Sequence, residues 1–185
     1  MKSIPCQCFL GEGPLWIGKL GCFFWVDIEK GNLHRYHLAT EQLEIRHFPH
    51  RLAVVLEGQN GKLILGVDRK LVRYDWETEG IEEFCEVESD LALNRFNDGK
   101  VDPQGRIWIG TLSTLFTEGA GSLYRIDSDL KPEVQLKNLT ISNGMAWTAD
   151  QRTYYFIDTP TKKIQEFAFD PESGGIQFRR IAVEI

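Results

Sequence analysis

A pattern of paired strands returns about every 44 residues along the chain, and nothing else in the sequence constrains the fold as tightly. Four segments align: "CFFWVDIEKGNLHRYHL", "KLILGVDRKLVRYDW", "RIWIGTLSTLFTEGAGSLYRID" and "TYYFIDTPTKKIQEFAFD". Each reads as a strand ending near an Asp or Thr, a turn, and a second strand with aromatic or aliphatic residues inside it. Asp27, Asp68, Thr111 and Asp158 mark the ends, at spacings of 41, 43 and 47 residues. Short strands between Gly, Asp, Asn and Pro turns, with almost no helical periodicity, predict an all-β propeller with four strands to a blade. The outermost strands fall at "QLEIRHFP", "GIEEFCEV", "PEVQLKNL" and "IQFRRIAV". The innermost fall at "GPLWI", "LAVVLEG", "DGKVDPQG" and "NGMAWTAD".

The chain of 185 residues suits a single domain over 1–185, and 42% hydrophobic with 26% charged residues is the composition of a folded protein. A net charge of −6 with scattered basic residues argues against nucleic acid, which needs a concentrated positive face. No apolar run approaches the ~20 residues of a membrane span. "MKSIPCQCFLGEGPLW" lacks the apolar core of a signal peptide, which places the chain in the cytoplasm. Cys6 and Cys8, read within an N-terminal strand "SIPCQCFL", share one face, but no second close pair completes a zinc set. All four cysteines (Cys6, Cys8, Cys22, Cys85) read as buried free thiols. His34 and His37 point to opposite strand faces and His47 and His50 flank a proline; all four read as structural or surface residues.

Polar residues then fall into register on the innermost strands. Glu12-Gly13, Asp98-Gly99 and Asn143-Gly144 each open one, with 86 residues between the first two and 45 between the last two. The second repeat has Val54 near this place and breaks the pattern. Such pairs are common in turns and need no ligand. Three in register is a different matter, because inner strands line a propeller's central channel and equivalent positions converge there.

The convergent groups Glu12, Asn97, Asp98 and Asn143 are oxygen donors without Cys or His, a set that suits Ca²⁺, Mg²⁺ or Mn²⁺, with Zn²⁺ also served by carboxylate. A cation with open positions can polarise a carbonyl or acidify water. Arg95 and Asn97, one residue apart, point the same way if extended and could grip the oxygens of a polar substrate. A surface salt bridge is the other reading of Arg95.

These motifs, "GEGPLW" with "FFWVDIEKGNLHRY", "NRFNDGKVDPQGRIWIGT" and "ISNGMAWTADQRTYYFID", resemble the SMP-30/gluconolactonase/luciferin-regenerating-enzyme (regucalcin-like) family, in family order over nearly the whole chain. The resemblance implies a six-bladed propeller holding one divalent cation, with Ca²⁺ first among Ca²⁺, Zn²⁺, Mn²⁺ and Mg²⁺, and hydrolysis of a small-molecule sugar lactone. It implies Glu12 and Asn143 as metal ligands and Arg95 and Asn97 as substrate contacts, with Asp98 beside them; where the family's own base is missing, Asp98 is the candidate catalytic residue. It also implies a third ligand, an aspartate doubling as general base, that these 185 residues do not supply. Four repeats stand where the family has six, so the expectation is a propeller incomplete at its C-terminus, inactive alone and open to self-association through its exposed edge. "LSTLF" after "WIGT" replaces acidic residues common in the family and bears on which lactone is preferred. The alternatives are a calcium- or metal-binding regulatory propeller without turnover, or an inactive fragment or scaffold.

Overall fold

The computed structural model describes residues 3–185 as sixteen strands in four sheets. The first blade holds β1 (Gly11–Ile17), β2 (Cys22–Asp27), β3 (Asn32–His37) and β4 (Leu43–His47). The second holds β5 (Leu52–Glu57), β6 (Leu63–Val67), β7 (Lys70–Tyr74) and β8 (Ile81–Glu86). The third holds β9 (Asn94–Val101), β10 (Ile107–Ser113), β11 (Gly121–Ile126) and β12 (Pro132–Leu139). The fourth holds β13 (Ser142–Trp147), β14 (Thr153–Asp158), β15 (Lys163–Phe169) and β16 (Ile176–Glu184). Each sheet is an antiparallel meander in chain order, and the four outermost strands lie where the sequence places them. Apart from two single-turn 3-10 helices, all regular structure among the described residues is β. No helix among them is long and apolar enough to cross a membrane.

Burial falls from the axis outward. All of Leu52–Leu56 on β5 and all of β10 are buried, whereas β16 is exposed along most of its length. The inner strands pack in sequence, β1 on β5, β5 on β9 and β9 on β13, and no comparable packing brings β13 back to β1 among the described residues. The four blades therefore form an arc of a propeller, not a closed ring.

The apolar interior divides in two. One cluster fills blades one to three and includes Phe24, Leu52, Leu65, Phe96, Ile107 and Ile109. The other fills the joint of blades three and four and includes Trp108, Leu123, Tyr154, Phe156 and Phe167. Neighbouring residues of β10 point into different clusters, because successive side chains of a strand face opposite ways. At the foot of that joint Arg106 donates to the carbonyls of Pro171 (3.0 Å) and Glu172 (3.3 Å), and Arg125 to that of Ser173 (2.8 Å). Asp102 holds Arg106 at 2.6 Å and accepts the Trp108 indole N–H at 3.1 Å.

Three expectations are corrected. "SIPCQCFL" forms no strand: residues 3–8 are irregular, and Gln7 at φ +47° breaks any extended run between Cys6 and Cys8. The thiols are all free, but only Cys22 and Cys85 are buried, while Cys6 and Cys8 are half-buried. The four strand-end anchors are not equivalent. Asp27 accepts the backbone N–H groups of Phe9 and Leu10, and Asp158 those of Thr140 and Ile141, so each clamps the chain entering its blade's inner strand. Asp68 instead lies 3.0 Å from the His50 ring, and Thr111 donates its hydroxyl to Glu88.

Where blades three and four meet, Gly110 has room only for a hydrogen: an added Cβ would fall on Ser142 Oγ. Gly110→Ala should cost about 1–3 kcal/mol, the usual penalty of overpacking. Urea denaturation measures this, and adding Ser142→Gly should restore much of the loss.

Candidate functional site

Two of the inner strands open in the same way. On β1, Gly11 pairs with Asp27 and Glu12 with Val26, and the register slips before Leu15 meets Phe24. On β13, Ser142 pairs with Asp158 and Asn143 with Ile157, and the register slips before Met145 meets Phe156. Gly13 (φ +60°) and Gly144 (φ +50°) sit in these bulges in the left-handed region that glycine enters without strain. Glu12 and Asn143 thus occupy matching positions, each just before a bulge glycine and each across from the residue preceding a buried aspartate.

β9 bulges at the same place relative to its anchor. Phe96 pairs with Thr111 and Gly99 with Ile109, so Asn97 and Asp98 together face Gly110. Counting residues pairs Asp98 with Glu12 and Asn143, whereas strand pairing puts Asn97 there: Phe96 faces Thr111 as Gly11 faces Asp27 and Ser142 faces Asp158. Val54 on β5 is buried and apolar, as its sequence implies.

Arg95 and Asn97 do point the same way, since Arg95 Nη1 donates to Asn97 Oδ1 at 3.2 Å. The same nitrogen donates to the Phe96 carbonyl at 2.8 Å, and Nη2 lies 3.6 Å from Glu29 Oε1. The Arg95 side chain is only 5% exposed, whereas that of Glu29 is 31% exposed, so the pair joins a buried guanidinium to a carboxylate at the surface. Burial lowers the Arg95 pKa and the Glu29 charge opposes that shift. Glu29 also accepts from Arg51 Nε at 2.9 Å. This carboxylate gave no sign in the sequence: it sits in an ordinary turn after β2, one of 27 acidic residues.

Asn97 reaches the other way and donates to the Ser142 carbonyl at 2.9 Å. A polar line therefore runs from Glu29 on blade one through Arg95 and Asn97 on blade three to Ser142, the residue before Asn143, on blade four. Asn143 accepts from Gly144 N–H at 3.0 Å and donates to Thr159 Oγ1 at 3.3 Å. Glu12 is exposed and has no hydrogen-bond or ion-pair partner among the described residues.

Of the five candidates, Asp98 alone lines the open cleft of about 1290 Å³ that runs along β1, β5 and β9; Glu12, Arg95, Asn97 and Asn143 lie outside its lining. Burial raises the Asp98 pKa, against the pull of Lys100 and of the Gly99 and Gly144 N–H groups. The wholly buried Tyr154 hydroxyl feels this carboxylate, which adds to the upward push of its own burial. No three His, Cys, Asp or Glu side chains among the described residues already surround a common point as metal ligands. The matched oxygen donors, one carboxylate and one amide, nonetheless have the chemistry of a hard-cation site.

Known proteins resemble the chain over nearly all of this framework. Residues 10–185 match the family model described as the SMP-30/Gluconolactonase/LRE-like region. An uncharacterized protein of Sulfolobus acidocaldarius is 36% identical over 178 residues, covering 95% of this chain and 62% of that protein. Regucalcin of Sus scrofa is 31% identical over 191 residues, covering 97% of this chain and 64% of its own length. The structure of a regucalcin from Agrobacterium tumefaciens, described as a calcium-binding protein, superposes with a TM-score of 0.89 at 29% identity, over 94% of this chain and 59% of that one. The chain spans less than two thirds of the length of each.

A raised carboxylate pKa means that the folded state holds the Asp98 proton more tightly than the unfolded chain does. This group therefore favours folding fully below its ordinary value of 3.8, and the contribution is lost as pH rises through the raised folded value. Asp98→Asn, which can still accept the Gly99 N–H, should raise the urea midpoint at pH 7 in the presence of EDTA. The gain should vanish below about pH 4.

Proposed function

The chain belongs to the SMP-30/gluconolactonase/LRE-like family, and from that premise we propose that it forms part of a divalent-metal-dependent lactonase acting on sugar or related lactones. The observation that carries the reading is the matched placement of Glu12 and Asn143, on different blades, with Asn97 tied to the residue beside Asn143. Glu12 and Asn143 would hold the cation, Ca²⁺ first among the hard divalent ions. A cation there would polarise a lactone carbonyl or acidify a water.

The remaining roles belong to the chain's own side chains. Arg95 and Asn97, fixed against each other, offer N–H groups to the ring and hydroxyl oxygens of a sugar lactone and hold it in one orientation. Asp98 is the carboxylate of this cluster that can take a proton from the attacking water; its burial raises its basicity relative to an exposed aspartate. Because the chain covers under two thirds of its relatives' length, the activity is proposed for the whole protein and the binding groups for this chain.

A second reading, a calcium-binding propeller without turnover, draws on a specific feature. Asn97 already bonds within the protein at both ends of its amide, and Arg95 at both Nη atoms, so both act as struts between blades. Adding divalent metal to a panel of aldonolactones separates the readings: metal-stimulated hydrolysis supports the lactonase, and tight Ca²⁺ binding without hydrolysis supports the binding module.

Glu12 carries the only formal charge assigned to the cation. Glu12→Gln should weaken Ca²⁺ binding roughly ten-fold or more, and further than Asn143→Ala does. Calorimetric titration decides, and parental affinity in Glu12→Gln would reject the assignment. Replacing Asn97 with Ala should lower kcat/KM on aldonolactones and leave Ca²⁺ affinity nearly unchanged.

A further inference from the structure

Away from the axis, the segment entering blade one carries an unexplained group of soft donors. Gln7, in the left-handed region at φ +47°, folds Cys6 and Cys8 towards each other until their sulfurs lie 3.6 Å apart. Gln7 is one of eleven described non-glycine residues in this region, and its conformation matters here for the close approach of the two sulfurs that it brings about. Cys8 Sγ lies 4.0 Å from Nε2 of His34 on β3. His34 is 1% exposed and its ring stacks on Trp25, centroids 5.0 Å apart and planes within 5°. Its Nδ1 makes no hydrogen bond of good geometry among the described residues, the Trp25 backbone offering only a polar contact, and Nε2 faces the Cys8 thiol. The buried Nε2 therefore faces two thiols with no strong hydrogen-bond acceptor or donor of its own, an arrangement that a bound ion would complete.

We propose that Cys6, Cys8 and His34 form a binding site for a thiophilic divalent cation of the Zn²⁺ class, separate from the axial oxygen-donor site. Two thiolates at about 2.3 Å from a tetrahedral zinc stand about 3.8 Å apart, close to the observed sulfur separation, and a thiolate and an imidazole nitrogen about 3.5 Å. The three donors do not yet enclose one point. Closure needs the Cys6 side chain to turn and the Cys8–His34 gap to shorten by a few tenths of an ångström. Both cysteines are half-buried on an irregular segment, and the adjustment needs only side-chain rotation and a small shift. Burial keeps His34 neutral, the form that ligates, and a cation would displace the thiol protons it finds there. Three protein donors leave a fourth position for solvent. Soft sulfur selects against Ca²⁺, so the two sites would not compete for one ion.

The test is a titration of the reduced 185-residue chain with Co²⁺, a spectroscopic stand-in for Zn²⁺, without oxygen. One equivalent should produce a thiolate-to-cobalt charge-transfer band with tetrahedral ligand-field absorption, bleached by Zn²⁺ and untouched by excess Ca²⁺. Cys8→Ser and Cys6→Ser should each abolish the band, and both changes fall on a loop where folding is not at stake. His34→Gln should weaken it, while Cys22→Ser and Cys85→Ser should leave it intact. Absence of the band in the parent, or its survival in Cys6→Ser, overturns the proposal. Neither result bears on Ca²⁺ binding through Glu12, which calorimetry reads independently.

Discussion

A single propeller blade cannot bury both of its faces, and the structure depends on how each blade is seated against the one before it. The Leu52 N–H of blade two donates to the Ile28 carbonyl at 3.3 Å, and the Phe96 N–H of blade three to the Asp68 carbonyl at 2.6 Å. A bridge from Leu112 to Ile141 does the same for blade four. These bonds fix where each inner strand begins, and apolar side chains then close the gap between the sheets. Trp76 shows the outer version of the joint: it packs edge-on to Phe24 and lies beneath the guanidinium groups of Arg35 and Arg46. Large flat rings suit this role because they fill a wedge that widens away from the axis.

The candidate site inherits its precision from that seating. Glu12 and Asn143 stand where they do because Asp27 and Asp158 capture the incoming backbone and a glycine bulge follows. Asn97 spans two blades, and its bond to the Ser142 carbonyl joins the strand carrying Arg95 to the strand carrying Asn143. The substrate contact proposed for Asn97 and the registration of the blades thus draw on the same amide. A residue of this kind resists change for two reasons at once, and stability and binding measurements on its variants have to be read together.

Much of this was legible in the sequence, and the reasons are local. Turn residues and period-two alternation carry their information within ten residues, so "IQFRRIAV" and "PEVQLKNL" could be assigned as outer strands. Bulges carry less. The extra residue falls after the anchor pair on β9 as on β13, and a count along the sequence that ignores it matches Asp98, not Asn97, to Glu12 and Asn143. The partnership of Arg95 with Glu29 joins residues 66 apart with no periodic signal between them. "SIPCQCFL" had the composition of a strand, but a strand needs a neighbour to bond with, and composition cannot say whether one is there.

The division of the interior at β10 has a consequence for the order in which the molecule can be made. Ile107 and Ile109 belong to the cluster that ends at Ile126, while Trp108 waits for Tyr154, Phe156 and Phe167. A chain emerging from the ribosome can complete the first cluster once blade three has its inner strands, with Trp108 still facing water. The second cluster then assembles on a finished surface, and the carbonyls of 171–173 reach Arg106 and Arg125 before β16 closes the blade. The same wall of β10 that ends the first folding event serves as the template for the second.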